Sequence, residues 1–131
     1  MNRPKYLNAE NFYLDDGAQL EVFELFEHLN ISIKRIYFIS SKEGKSIRGH
    51  HAHTNQDQVF ILLFGEAEIS LLNQLGKTEQ FSIVNKPLFI PRNYWIELSL
   101  MENTKVICLA TEPYKNLKSV SDKKVFLMKR A

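Results

Sequence analysis

The chain has 131 residues, 44% of them hydrophobic and 24% charged, with a formal net charge of +2. Those values describe one globular domain, residues 1–131, that can bury a core without staples, and they do not call for a nucleic-acid partner. A single cysteine, Cys108 in the apolar run KVICLATE, excludes a disulfide framework and a cysteine-based zinc site and is read as a small buried hydrophobe.

The start, MNRPKYLNAENFYL, is polar, so no signal peptide is predicted and the expected compartment is the cytoplasm. No stretch reaches the roughly 18 apolar residues of a membrane span. LDDGAQ reads as a turn, followed by LEVFELF, for which a strand is predicted over Leu20–Leu25 with a turn of helix near Glu27. ISIKRIYFIS alternates: Ile31, Ile33 and Arg35 fall on one face, Ser32, Lys34 and Ile36 on the other. SKEGKS is a turn. DQVFILLFG is a strand closing on Gly65, and Glu66, Glu68 and Ser70 alternate with Ala67, Ile69 and Leu71. Short runs continue as EQFSIV, PLFIP, WIELSL and KVICLATE, with turns at NQLGKT, VNKP and MENT. Many short β-rich runs at this spacing predict an antiparallel sandwich or barrel. The basic end, YKNLKSVSDKKVFLMKRA, reads as a tail, a short helix or an edge strand, with a solvated tail preferred.

Three of the four histidines fall in GHHAH. Alternate residues of a strand share a face about 6.6 Å apart, so His51 and His53 point together and His50 points away. A pair H-x-H, a polar residue five positions on and a Gly closing the next strand is the arrangement of the first cupin motif, in which two His and a Glu bind a metal with a further His from a second motif. Here Gln58 holds the Glu position and, in PRNYWIEL, Ile96 holds that of the last His. An amide is a poor ligand for a divalent ion and an isoleucine is none, so no metal is expected. Two imidazoles on one face remain suited to moving a proton between neighbouring carbons.

The block from Ile31 to Gly65 resembles the nucleotide-sugar 3,4-ketoisomerases, the WxcM-like metal-free cupins that act on dTDP-4-keto-6-deoxyglucose. Their pattern is an Ile-Lys-Arg-x-Tyr strand, then Arg-Gly-x-His-Ala-His, then a strand begun by Gln and closed by Gly. The chain has Ile33, Lys34, Arg35 and Tyr37, then Arg48, Gly49, His51, Ala52 and His53, then Gln58 and Gly65. The resemblance implies a cupin jelly roll (a double-stranded antiparallel β-helix), no cofactor, and a homodimer that exchanges N-terminal strands. It also implies the reaction, in which the proton at C3 of a 4-keto sugar is removed to give an enediol and a proton is returned at C4. The 3-keto product is then aminated on the way to a surface glycan. His51 and His53 would be the acid/base pair with Tyr37 beside them, and Arg48 and Gln58 would line the substrate.

Arg35 is a further candidate for a pyrophosphate, since Arg's fork suits phosphate oxygens, and Tyr94 and Trp95 for stacking on a thymine ring. Asp15, Asp16, Glu66, Glu68 and His28 are read as solvated. The chain departs from the family pattern at Gly17, where a preceding Arg is missing, at Ile96, where a polar residue is common, and in the C-terminal segment. An isomerase or epimerase acting on another nucleotide sugar, or a sugar-nucleotide-binding cupin without catalysis, remain as alternatives.

Overall fold

The structure is a computed structural model and describes residues 2–128. Its strands are β1 (Lys5–Tyr6), β2 (Glu10–Tyr13), β3 (Gln19–Val22), β4 (Arg35–Ser41), β5 (Ser46–His53), β6 (Gln58–Phe64), β7 (Ala67–Leu72), β8 (Thr78–Ile83), β9 (Leu88–Ile90), β10 (Trp95–Leu100), β11 (Thr104–Ala110) and β12 (Ser119–Val120). Two short helices, α1 (Leu25–Leu29) and α2 (Lys123–Met128), complete it. One five-stranded sheet runs β1-β9-β6-β11-β4, the other β12-β5-β10-β7-β8, and every pairing is antiparallel. The predicted jelly roll is therefore the fold. Among the described residues no helix is long and apolar enough to cross a membrane.

The alternation seen in the sequence places the core. Ile69 and Leu71 of β7, Ile96 and Leu98 of β10, and Val106 and Cys108 of β11 pack together between the sheets, each 6% exposed or less. This filling is dense except towards β4 and β5, where an opening remains. The outer face of the β6-β11 sheet is covered by residues that precede β4: Ile31 is buried, and Phe23, Leu25, Leu29 and Ile33 pack with it against Val59 and Phe89. The strand predicted for Leu20–Leu25 thus stops at Val22, and α1, which includes Glu27, takes over so that its apolar side can meet the sheet. Asn30 ends that helix in the left-handed conformation, which Asn tolerates better than most residues.

The C-terminal stretch is not a solvated tail. After a 3-10 turn at Tyr114–Asn116, β12 pairs with β5 and α2 folds over the outer face of that sheet. Phe126, 1% exposed, packs with Val120, Ala52, Leu72 and Trp95. Asp122 accepts hydrogen bonds from the backbone N–H of Lys124 and Val125 and so caps α2. The apolar pair Val120 and Phe126, set among lysines, is the signal in this stretch that burial was possible; its last three residues lie outside the described ones.

Candidate active site

Strand β5 carries the histidines, and its shape depends on a bulge. Across from it on β10, Ile96 pairs with His51 and Glu97 pairs with Gly49, so His50 is the extra residue. Both bulge residues have positive φ, 101° at Gly49 and 59° at His50. A Cβ at Gly49 would collide with the carbonyl oxygen of Ile96, so only glycine fits there. The bulge shifts the alternation by one. Arg48, opposite Leu98, and His51, opposite Ile96, consequently face the same interior although they are three residues apart. His50 turns outward, with its Nδ1 3.9 Å from Glu97.

The opening between β4 and β5 is a pocket of about 460 Å³. Tyr37, Arg48, His51 and Gln58 are on its wall, with Phe60, Ile96 and Leu98 as its apolar floor. His51 is fixed at both nitrogens. Its Nδ1 lies 2.9 Å from the carbonyl oxygen of Gly49, and its Nε2 lies 3.0 Å from Nε2 of His53. A carbonyl only accepts, so Nδ1 of His51 carries the proton and its Nε2 offers a lone pair. His53 therefore donates from Nε2, which leaves its own Nδ1 as an acceptor, 2.9 Å from the hydroxyl of Ser119. His53 is 7% exposed. Burial, then the neighbouring His51, then the charge of Arg35 lower its pKa to about 4, which keeps it neutral at physiological pH.

Tyr37 faces the pocket from β4, its Cα directly opposite that of Cys108. Its oxygen accepts a hydrogen bond from the side-chain amide of Gln58. Burial, with Cys108 beside it, pushes the phenol well above its ordinary pKa, while Arg35 and Gln58 work weakly the other way. The phenol is thus a proton-bearing donor. Burial likewise raises Cys108 to about 12, so its thiol stays protonated.

Three candidates lie elsewhere. Arg35 is not on the pocket wall: its guanidinium stacks 5.2 Å from the Tyr37 ring centroid and 5.9 Å from that of Tyr114, and donates to the carbonyl of Glu112 at 2.7 Å. It acts on the site through its charge. Trp95 faces the opposite side of the sheet, against Phe126 with ring centroids 6.0 Å apart, and is not available for stacking on a base. The reason is the strand period: Ile96 faces the interior, so its neighbour cannot. Tyr94 shares the interior side but is perturbed by burial and by Glu79 and Arg3, which places it towards the β1–β8 edge, away from the pocket. Ser119 was not singled out from the sequence. Its contact with His53 exists only because the C-terminal stretch returns to β5, and no local motif announces it.

No group of three or more His, Cys, Asp or Glu side chains among the described residues is arranged to hold a metal ion. The positions that could complete such a set carry Gln58, whose amide is engaged by Tyr37, and Ile96. This donor set does not fit a divalent ion.

A family model described as FdtA, WxcM-like, C-terminal, matches residues 6–131. The TDP-4-oxo-6-deoxy-alpha-D-glucose-3,4-oxoisomerase of Aneurinibacillus thermoaerophilus is 34% identical over 104 residues, covering 77% of this chain and 73% of its own. Among solved structures, a 3,4-ketoisomerase from Helicobacter canadensis superposes with a TM-score of 0.79 at 30% identity over 95% of both chains. The WlaRB TDP-quinovose 3,4-ketoisomerase from Campylobacter jejuni gives a TM-score of 0.83 at 26% identity over 98% of this chain and 100% of its own.

Proposed function

This chain belongs to the WxcM-like FdtA family and is a 3,4-ketoisomerase of TDP-linked sugars, and from that premise we propose that it moves a proton from C3 to C4 of a TDP-4-keto-6-deoxyhexose through His51. The observation that carries this reading is the pair of facing Nε2 atoms, 3.0 Å apart, with only His51 on the pocket wall.

A C–H bond next to a ketone is acidic enough for an imidazole base only if the enediolate is stabilised as it forms. His51 is the group placed to take the proton: the Gly49 carbonyl keeps Nδ1 protonated, and Nε2, which accepts from His53 in the free enzyme, becomes the base once it is released to the sugar. His53 stands behind it, neutral, and donates to that nitrogen in the free enzyme. Tyr37 keeps its proton and donates a hydrogen bond to the developing oxyanion, with Gln58 setting its orientation. Arg35, stacked on Tyr37, adds a nearby positive charge. Arg48 at the pocket wall suits the diphosphate. Returning the proton to C4 leaves the 3-keto sugar, the form that an amine-transferring enzyme requires to make a 3-amino sugar for a surface glycan in the cytoplasm.

The active unit in this reading is a homodimer. The β2–β3 hairpin forms a separate two-stranded sheet. It exposes Phe12, Leu14 and Leu20 at about half of their surface and Tyr13 at 81%. At the far edge of the first sheet β4 has a free side, and Ile36 and Phe38 are exposed on its outer face. An apolar hairpin without a partner sheet and an open sheet edge are both relieved if two chains exchange hairpins. Incubation with TDP-4-keto-6-deoxyglucose, followed by NMR for the 3-keto product, tests the reaction.

A further inference from the structure

Ser119 lies on β12, with its Cα directly opposite that of His53. Its position is built rather than incidental. The side chain of Asn55, in the loop that follows β5, donates to the carbonyl of Asn116 at 2.8 Å and accepts from the N–H of Lys118 at 3.0 Å. The N–H of Thr54 donates to the carbonyl of Lys118 at 3.0 Å. These bonds flank Ser119 and seat its hydroxyl 2.9 Å from Nδ1 of His53. The opposite face of the same segment is anchored by Val120 and Phe126.

We propose that Ser119 is a positioning residue for the isomerase, whose hydroxyl donates to Nδ1 of His53 and so keeps that ring's proton on Nε2, facing His51. The inference rests on the assignment of His51 and His53 as the acid/base pair. Counting protons on the nitrogens leads to it. In the neutral pair, Nδ1 of His51 donates to Gly49, Nε2 of His53 donates to Nε2 of His51, and Nδ1 of His53 needs a donor, which is the Ser119 hydroxyl. A hydroxyl donating to Nδ1 holds His53 in the tautomer protonated on Nε2, the one that can donate to His51. No other side-chain partner of that nitrogen is present among the described residues. The groups facing His53 are His51 on its own strand, Ser119 on β12 and the charge of Arg35 from the start of β4. Only Ser119 among them offers a donor to Nδ1. Ser119 is exposed to solvent and does not line the pocket, so it has no contact with substrate to lose.

Three proteins decide it: wild type, Ser119→Ala and Ser119→Thr. In the free enzyme at neutral pH, ¹⁵N-resolved imidazole spectra are expected to show His53 protonated on Nε2 with a hydrogen-bonded Nδ1. The Nδ1 resonance should move downfield in Ser119→Ala and return in Ser119→Thr. In turnover, Ser119→Ala should lose roughly tenfold in kcat with KM unchanged, the scale of one hydrogen bond, and its acid limb should shift, with Thr restoring both. Wild-type spectra showing His53 protonated on Nδ1 at neutral pH would overturn the proposal. So would an alanine variant with wild-type kcat and pH profile. The imidazole spectra need no sugar, so they judge Ser119 even if the assigned substrate is wrong.

Discussion

Ile96 stands directly across from His51 on the neighbouring strand, and the two share the interior of the pocket. The residue beside the proposed base is thus hydrocarbon. His51 takes its polar partners from the Gly49 carbonyl and from His53. Proton transfer in this site accordingly depends on the two imidazoles. His51→Asn and His53→Asn each keep some hydrogen bonding but cannot shuttle a proton, and turnover should fall by roughly 100-fold or more. His50 faces outward, and asparagine tolerates its positive φ. His50→Asn should therefore keep turnover near wild type. Steady-state kinetics beside a TDP-binding measurement check all three, with binding little changed throughout.

His53 also makes stability depend on pH. In an unfolded chain a histidine binds its proton below about pH 6.5, whereas folded His53 does so only below about 4. Between those values the unfolded state holds more protons, so stability falls as pH is lowered through that window and is flat above it. The total loss is on the order of 3 kcal/mol. Urea unfolding of wild type between pH 7 and 4 should show this decline, and His53→Asn should flatten it.

Gly49→Ala is expected to be damaging well beyond its size. It adds a Cβ where the Ile96 carbonyl already stands, at a φ of 101°. Straightening the bulge would turn either Arg48 or His51 out of the pocket. A loss of roughly 3 kcal/mol and of nearly all activity is the expected outcome, measured by thermal unfolding and turnover. Gly17→Ala, where a Cβ meets nothing within 4 Å, is the comparison for positive φ without a clash.

Much of this was readable in the residues. Period-two alternation marked β4 and β7, and H-x-H placed two imidazoles on one face because a strand demands it. Gln58 and Ile96 argued against a metal. The same rule applied to Ile96 would have turned Trp95 away from the pocket, and stacking on a base was the wrong expectation for it. Other features had no local signal. The bulge at Gly49 and His50 is a backbone event, visible in sequence only as a glycine. Arg35 resembled a phosphate ligand until Tyr37 and Tyr114 were found on either side of it. The burial of Phe126 needs the distant Trp95 as its partner, and Ser119 meets His53 only through that return of the chain.

The exposed hairpin makes the oligomeric state testable. Light scattering at micromolar concentration should give the mass of two chains. Phe12→Asp with Leu20→Asp places charge on the apolar surface of β2 and β3 without touching the core, since both side chains are about half exposed in the single chain. That double variant should be monomeric and folded. A wild-type protein that scatters as one chain would contradict the exchanged dimer.

The most direct test of the central claim is isotope uptake. The protein is incubated with TDP-4-keto-6-deoxyglucose in deuterated water, and the sugar ring is followed by proton NMR. The account predicts loss of the C3 proton signal and growth of a 3-keto sugar, its new C4 hydrogen protium where His51 hands on the same proton and deuterium where that proton first exchanges with solvent, and neither change with His51→Asn. A wild-type protein that binds the nucleotide sugar yet leaves its C3 proton in place, or a His51→Asn variant that isomerises at the wild-type rate, would contradict it.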